Sequence, residues 1–519
     1  MTALLSILVP ELVLTAVACA LLLMGCSSKL AVRRLTPTVA MGGLLAGLLW
    51  MLSGSIGALP GEPTDALLLD GIARFVRPVS LIIAATMLLL AWPSRPDGSG
   101  NAAVEYGADA GEFFGLALLS IAGLLLVSVA NDLILLLLAL ELVSVPTYVM
   151  VAISRRRVAG REAALKYFFL GALSVALLLL GFSYLYGATG QINLGEIRRV
   201  LAGGGASTAA LGSWPMLALV LIMLSLAFKL AAFPLHFYVG DVYEGAATPV
   251  TAFLAFVPKA AGLIALIRVL QIVGGRGMAP MHLPEQLTQL LWVLAVATMT
   301  IGNVLGLMQS NVKRVLAYSS VAHSGYMLAG LAAVSIVGLP ALQGALFYLT
   351  AYGLMSAAAF GVLMLLPGRN GESAETFEDI AGQGRERIGL GLAMAVACFG
   401  LTGIPLTIGF VGKLALIRPA FGAGMILLGI LIVINAAISA GYYLRIVATM
   451  FLRPPPAAGP DTAAIPAGGN FPAALAIAVS VCATLLFGTV PPATDSLLDM
   501  ADSSIRTAAL VSDPAFAPR

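Results

Sequence analysis

The stretch FKLAAFPLHFYVGDVYEGAATPVTAFLAFVPK, Phe228 to Lys259, decides how the rest of the chain is read. Its apolar background is interrupted by Lys229, by Pro234 and His236, by an acidic turn with Asp241 and Glu244, and by Lys259. An ammonium group placed mid-membrane costs about 2.5–3.5 kcal/mol on insertion scales, so such residues point to function by default. The chain has six lysines, and three of them, Lys229, Lys259 and Lys413, lie inside apolar runs. Lysine is not being used here mainly to keep a surface soluble.

Outward from that stretch, the composition excludes an ordinary soluble protein. The 519 residues are 60% hydrophobic and 10% charged, against about 25% charged in soluble domains. The net charge of +3 carries no nucleic-acid signal, because the basic residues are spread among short loops. The four cysteines, Cys19, Cys26, Cys398 and Cys482, sit in apolar runs without a C-x-x-C pair and read as small core residues, not as cluster ligands. The glycine clusters at Gly203–Gly205 and Gly274–Gly277 lack the strand context of a nucleotide fingerprint. Any redox chemistry therefore belongs to another chain. The first apolar run lacks a basic leader and a clear cleavage site, and reads as a retained helix.

The pattern predicts an all-α polytopic membrane protein of about fourteen spans, at 3–25, 38–59, 72–92, 112–130, 131–153, 163–188, 214–240, 248–272, 286–308, 313–338, 340–366, 388–419, 422–452 and 471–490. The fourth and fifth meet in a tight hairpin at Asn131-Asp132. Lys29 with Arg33 and Arg34, Arg155–Arg157 with Arg161 and Lys166, and Lys313-Arg314 fall in alternate loops. The positive-inside rule then places both termini on the outer side.

A faint internal repeat is present. FKLAAFPL (Phe228 to Leu235) and FGLTGIPL (Phe399 to Leu406) share F-x-L-x-x-[FI]-P-L and lie in the seventh and twelfth spans. An offset of five spans means that the copies cross in opposite directions, as two inverted five-helix repeats require. The resulting division is an N-terminal unit at 1–110, a first repeat at 111–275, a second at 276–455, and a linker, last helix and tail at 456–519. Each proline frees a backbone carbonyl four residues earlier, that of Leu230 or Leu401. Broken helices in matching halves are a sequence pointer to an ion path.

Glu141, Lys259 and His323 fall near mid-span in the fifth, eighth and tenth helices, and Lys229 and Lys413 flank the two breaks. Burial disfavours a charged lysine and a nearby carboxylate favours it, so moving the carboxylate switches the proton. Histidine serves as a relay between such sites. A static Glu141–Lys229 pair fixing helix register is the bland alternative, and for His236 and His323 it is an ordinary bonded core histidine. Asp241 and Glu244 read as solvated turn acids, with proton uptake as the functional alternative.

Three runs carry a family resemblance: PLHFYVGDVYEGAATPVTAFLAFVPKAA from Pro234, NVKRVLAYSSVAHSGYML from Asn311, and GIPLTIGFVGK from Gly403. They resemble the antiporter-like membrane subunits of the proton-pumping NADH:quinone oxidoreductase (respiratory complex I), subunit N in particular. The resemblance implies a fourteen-helix fold with inverted repeats and broken seventh and twelfth helices. It also implies roles. Glu141 in LELVSVPTY would modulate Lys229, Lys259 would be the central relay, Lys413 the distal lysine, and His236 and His323 polar positions of the central axis. It further implies a bacterial plasma-membrane location among other membrane subunits. No cofactor is expected on this chain; NADH, FMN, Fe–S clusters and quinone are expected on partner subunits. A subunit of a secondary cation/proton antiporter without a redox link is the alternative.

Overall fold

The computed structural model describes residues 2–53, 66–92, 110–154, 158–203, 212–274, 283–368, 373–455, 470–494 and 496–500. Backbone amides find no water partner in hydrocarbon, so a chain this apolar satisfies them within helices. The principal helices are α1 (Thr2–Gly25), α2 (Thr36–Leu52), α3 (Gly71–Leu90), α4 (Ala110–Val129), α5 (Leu133–Ser154), α6 (Val158–Thr189), α7 (Ser213–Lys229), α8 (Val239–Gly245) and α9 (Thr248–Gly274). There follow α10 (Glu285–Leu307), α11 (Val312–Val337), α12 (Leu339–Leu365), α13 (Ile388–Thr402), α14 (Ile408–Gly422), α15 (Ile426–Leu452) and α16 (Phe471–Thr489).

Among the described residues, twelve helices are long and apolar enough to cross a membrane. The two remaining expected spans, 214–240 and 388–419, are each split, into α7 and α8 and into α13 and α14. Helices α9 and α12 are buried on all sides along their apolar stretch. Having no polar face, they suit the centre of the bundle. Lys259 therefore sits on a central helix.

The hairpin at Asn131-Asp132 is pinned from both sides. Leu68 N–H donates to the Val129 carbonyl at 2.8 Å and Asn131 N–H to Ala66 at 2.9 Å, while Leu194 N–H donates to Asn131 at 2.9 Å. Two buried ion pairs that the sequence reading did not anticipate fasten the N-terminal helices. Arg77 of α3 meets Glu11 of α1 at 2.6 Å. Arg268 of α9 meets Asp70, which caps α3 by accepting from Ala73 N–H, at 2.5 Å, and also donates to the Ser128 carbonyl.

Two expectations need correction. Lys313, read as a loop residue, is buried, with its ammonium 2.7 Å from the Ala246 carbonyl and 3.3 Å from Glu375. It ties α11 to the end of α8. Of the cysteines only Cys398 is buried; Cys19, Cys26 and Cys482 are exposed. A thiol is a small, weakly polar group, and an apolar surrounding outside the bundle suits it as well as the core does. Arg155–Arg157 and residues 456–469 of the linker lie outside the described residues.

Candidate functional site

Both breaks carry residues in the left-handed region, where a side chain is unfavourable and which persists only when the surroundings enforce it. In the first, α7 stops at Lys229 and Ala231 has φ 56°; the Phe233–Pro234 peptide is cis. The amides freed there are taken up locally. Ala231 N–H donates to Phe228, Ala232 N–H to Ala227, and Phe233 N–H to Thr298 Oγ1 of α10 at 3.1 Å.

In the second break α13 ends in a glycine turn. Gly403 and Ile404 both donate to the Phe399 carbonyl at 2.9 Å. Gly403 has φ 84°, and a Cβ there would lie 2.8 Å from Lys413 Cδ, so a side chain at this position would be strained and would push on Lys413. The carbonyls left open at the end of α13 point at Lys413 of α14, whose ammonium donates to Leu401 at 3.1 Å and Thr402 at 2.7 Å. The Leu401 carbonyl is the one that Pro405 was expected to free. The negative end of a helix dipole attracts a cation.

Lys229 stands at the corresponding end of α7. Its ammonium lies 3.4 Å from Glu141 Oε1 and makes a closer contact with Ser144 Oγ, both on α5. Gly262 of α9 lets this happen: a Cβ at that position would sit 2.8 Å from Lys229 Cβ. Between Lys229 and Lys259 lies a cavity lined by Tyr167, Tyr238 and Tyr243 as well as both lysines. Its room for water centres is about 10 Å³, close to one water molecule.

Lys259 is bonded to neutral oxygens of α11: the Ser320 carbonyl at 2.6 Å, Ser320 Oγ at 3.0 Å and Ser324 Oγ at 3.1 Å. Among the described residues no carboxylate forms an ion pair with Lys259 or Lys413. From Lys259 the polar row continues by ring contacts. The ammonium lies 5.9 Å from the Tyr352 ring, Tyr352 5.0 Å from His323, His323 5.6 Å from Tyr326, and the Tyr326 ring 4.9 Å from the Lys413 ammonium. Cations over aromatic faces are stabilised by the ring quadrupole. The structure thus strings Lys229, Lys259, His323 and Lys413 along one buried row, with the part-exposed Glu141 at its Lys229 end.

His236 is different. It is buried against Phe233 and Phe237, and its Nδ1 has no hydrogen-bond partner among the described residues. No hydrogen bond or ion pair joins it to a lysine of the row. Asp241 and Glu244 are part-exposed and ion-paired: Asp241 meets Lys166 at 2.6 Å, and Arg314 meets Asp241 at 3.1 Å and Glu244 at 2.6 Å. The opposite side of the same short helix α8, through Val239, Val242 and Tyr243, lines the cavity.

The sequence reading missed the hydroxyl groups. Ser320 and Ser324 share the His323 face of α11, and Tyr348 and Tyr352 share a face of α12. Their signal was spacing: residues three and four apart in a helix stand on one side. Serine and tyrosine inside apolar helices are common enough that spacing alone did not single them out.

With this geometry in view, four likenesses bear on the chain. The family described as NADH:quinone oxidoreductase/Mrp antiporter, TM, matches residues 130–439. NADH-quinone oxidoreductase subunit N of Trichlorobacter lovleyi is 36% identical over 497 residues, covering 94% of each chain. A chain of respiratory complex I from Thermus thermophilus, solved with bound aureothin, matches with a TM-score of 0.72 and 31% identity over 93% of this chain and 98% of that one. A chain of the Mrp complex from a Dietzia species shares the fold, with a TM-score of 0.75 at 23% identity over 98% of each chain. With the first of these relatives matched across nearly its whole length, the chain belongs to the NADH-quinone oxidoreductase subunit N family.

Proposed function

We propose that this chain is a proton-translocating membrane-arm subunit of an NADH:quinone oxidoreductase that performs no redox step itself. The observation that carries the reading is the row from Glu141 and Lys229 through Lys259 and His323 to Lys413. It combines cations that can release a proton with a relay group, inside a member of that family. NADH, FMN, Fe–S clusters and quinone belong to partner subunits in this reading, and quinone reduction there supplies the energy. Moving one charge against the field needs about 2.3 kcal/mol per 100 mV.

In the same reading, residues 111–275 and 276–455 are two inverted halves, each contributing a break and a lysine. The complex lies in a bacterial plasma membrane with both termini of this chain outside. Glu141 sets the proton on Lys229, Lys259 passes it on, and Lys413 delivers it. His236 is a second polar group beside the first break. Proton uptake in vesicles driven by NADH tests the assignment, with subunit content and electron transfer measured separately. Transport by the complex that persists without NADH or quinone would instead make it a secondary cation/proton antiporter.

A further inference from the structure

His323 is held at both ring nitrogens by phenols from two different helices. Nδ1 lies 2.7 Å from Tyr348 Oη of α12, and Nε2 lies 3.1 Å from Tyr443 Oη of α15. Tyr443 Oη in turn contacts Ser319 Oγ of α11. All four groups are buried. Among the described residues Tyr348 Oη has no hydrogen-bond partner besides Nδ1, while Ser319 Oγ also lies within reach of the Tyr442 hydroxyl, which itself donates to Asn303.

Four groups joined by three hydrogen bonds can be ordered in three ways when the imidazole is neutral, because a neutral ring donates at one nitrogen and accepts at the other, and the Tyr443 oxygen can accept twice. In the first Tyr348 donates to Nδ1, Nε2–H donates to Tyr443, and Tyr443 donates to Ser319. In the second every bond is reversed, and in the third only the Tyr443–Ser319 bond is. Each order leaves one hydroxyl hydrogen unshared, on Ser319 in the first, on Tyr348 in the second and on Tyr443 in the third. A phenol hydrogen stays in the plane of its ring and has few alternatives. A helical serine can turn its hydrogen to a carbonyl of the preceding turn, as Ser320 does to Ala317 and Ser324 to Ser320. The unshared hydrogen is better placed on Ser319.

We propose that Tyr348 and Tyr443 are positioning residues that hold His323 at rest in the Nε2–H form, with its donor side facing Tyr443. This rests on the reading of His323 as a relay. A proton crosses by inversion of the whole chain. Tyr348 passes its hydrogen to Nδ1 and takes up another, Nε2 passes its own to Tyr443, Tyr443 to Ser319, and Ser319 releases one. One proton enters at the Tyr348 end and one leaves at the Ser319 end. After this passage the ring holds its proton on Nδ1, so the chain stands in its reversed order.

The full-length chain has three histidines, so nitrogen-15 NMR of the histidine-labelled protein in lipid bilayers resolves them, with His323 assigned by its absence in His323→Asn. The wild type should show a neutral ring with the proton on Nε2 and both nitrogens hydrogen-bonded. Tyr348→Phe should give a mixture of tautomers, and in the assembled complex Tyr348→Phe and Tyr443→Phe should each lower protons moved per electron several-fold. A wild-type ring with its proton on Nδ1, or ring signals unmoved by Tyr348→Phe, would overturn the proposal while leaving the lysine row intact. The expected spectrum together with full pumping in His323→Asn would keep the tautomer and sink the relay reading of His323.

Discussion

Lys229 and Glu141 stand 3.4 Å apart, beyond the 2.7–2.9 Å of a strong charge-assisted hydrogen bond. The ammonium is instead closest to Ser144, on the same side of α5 as Glu141. The lysine is thus shared between a charged and a neutral partner, and a small motion decides which one holds it.

Replacing Glu141 by Gln keeps the size and removes the charge. Two unit charges gain about 4 kcal/mol at 4 Å with an effective dielectric of 20 and half that at 8 Å. The difference of about 2 kcal/mol corresponds to roughly thirty-fold in a proton-transfer equilibrium. NADH-driven proton uptake should fall by an order of magnitude, with assembly and electron transfer retained. Unchanged uptake would make the pair a fixed brace.

Among the described residues Lys259 is hydrogen-bonded by neutral oxygens of Ser320 and Ser324 and by no carboxylate, so its side chain can lose and regain a proton without breaking an ion pair. Lys259→Ala should block pumping. Lys259→Arg supplies a charge that does not release its proton, and should block it as well. Full pumping in an assembled Lys259→Arg complex would reduce Lys259 to a fixed charge.

Pro405→Ala restores an N–H that can compete with Lys413 for the Leu401 carbonyl. The helix gains a rung and Lys413 loses an anchor. Pumping should drop while the purified complex melts no lower than the wild type. Pro234→Ala is the matching test in the first half. Normal pumping in both variants would show that the breaks are not needed for conduction.

Arg268 and Asp70 form a buried, two-pronged pair, at 2.5 and 2.7 Å. Removing one partner of such a pair costs about 3–5 kcal/mol, because the remaining charge loses its close counter-ion in a site with little water. Arg268→Leu should therefore deplete the assembled complex, as judged by subunit content and melting temperature. Replacing Asp70 by Leu as well should recover part of the loss. A single variant as stable as wild type would mean that water reaches the pair.

The orientation is testable by labelling in a background without native cysteines. A cysteine at position 156 should react only from the cytoplasmic side and one at 506 only from outside. The reverse pattern would overturn the placement of both termini on the outer side.

Hydropathy by itself determined the fold class and the positions of the long helices, because a segment of about 20 apolar residues in a membrane has the helix as its stable form. It also flagged Glu141, Lys229, Lys259 and Lys413, since a charge in an apolar run is conspicuous one residue at a time. Pro234 and Pro405 marked both breaks, for proline removes a donor wherever it stands in a helix. What only the tertiary structure decided is which groups meet. Ser144, Ser320, Tyr352 and Tyr443 are unexceptional in sequence and matter through partners at least 25 residues away or on other helices. The same holds for Lys313, a loop lysine by hydropathy that packing turns inward onto Ala246. Helices are set by local backbone hydrogen bonds, which sequence periodicity reports; the row between them is set by interhelical packing, which depends on rotations and depths that no single segment encodes.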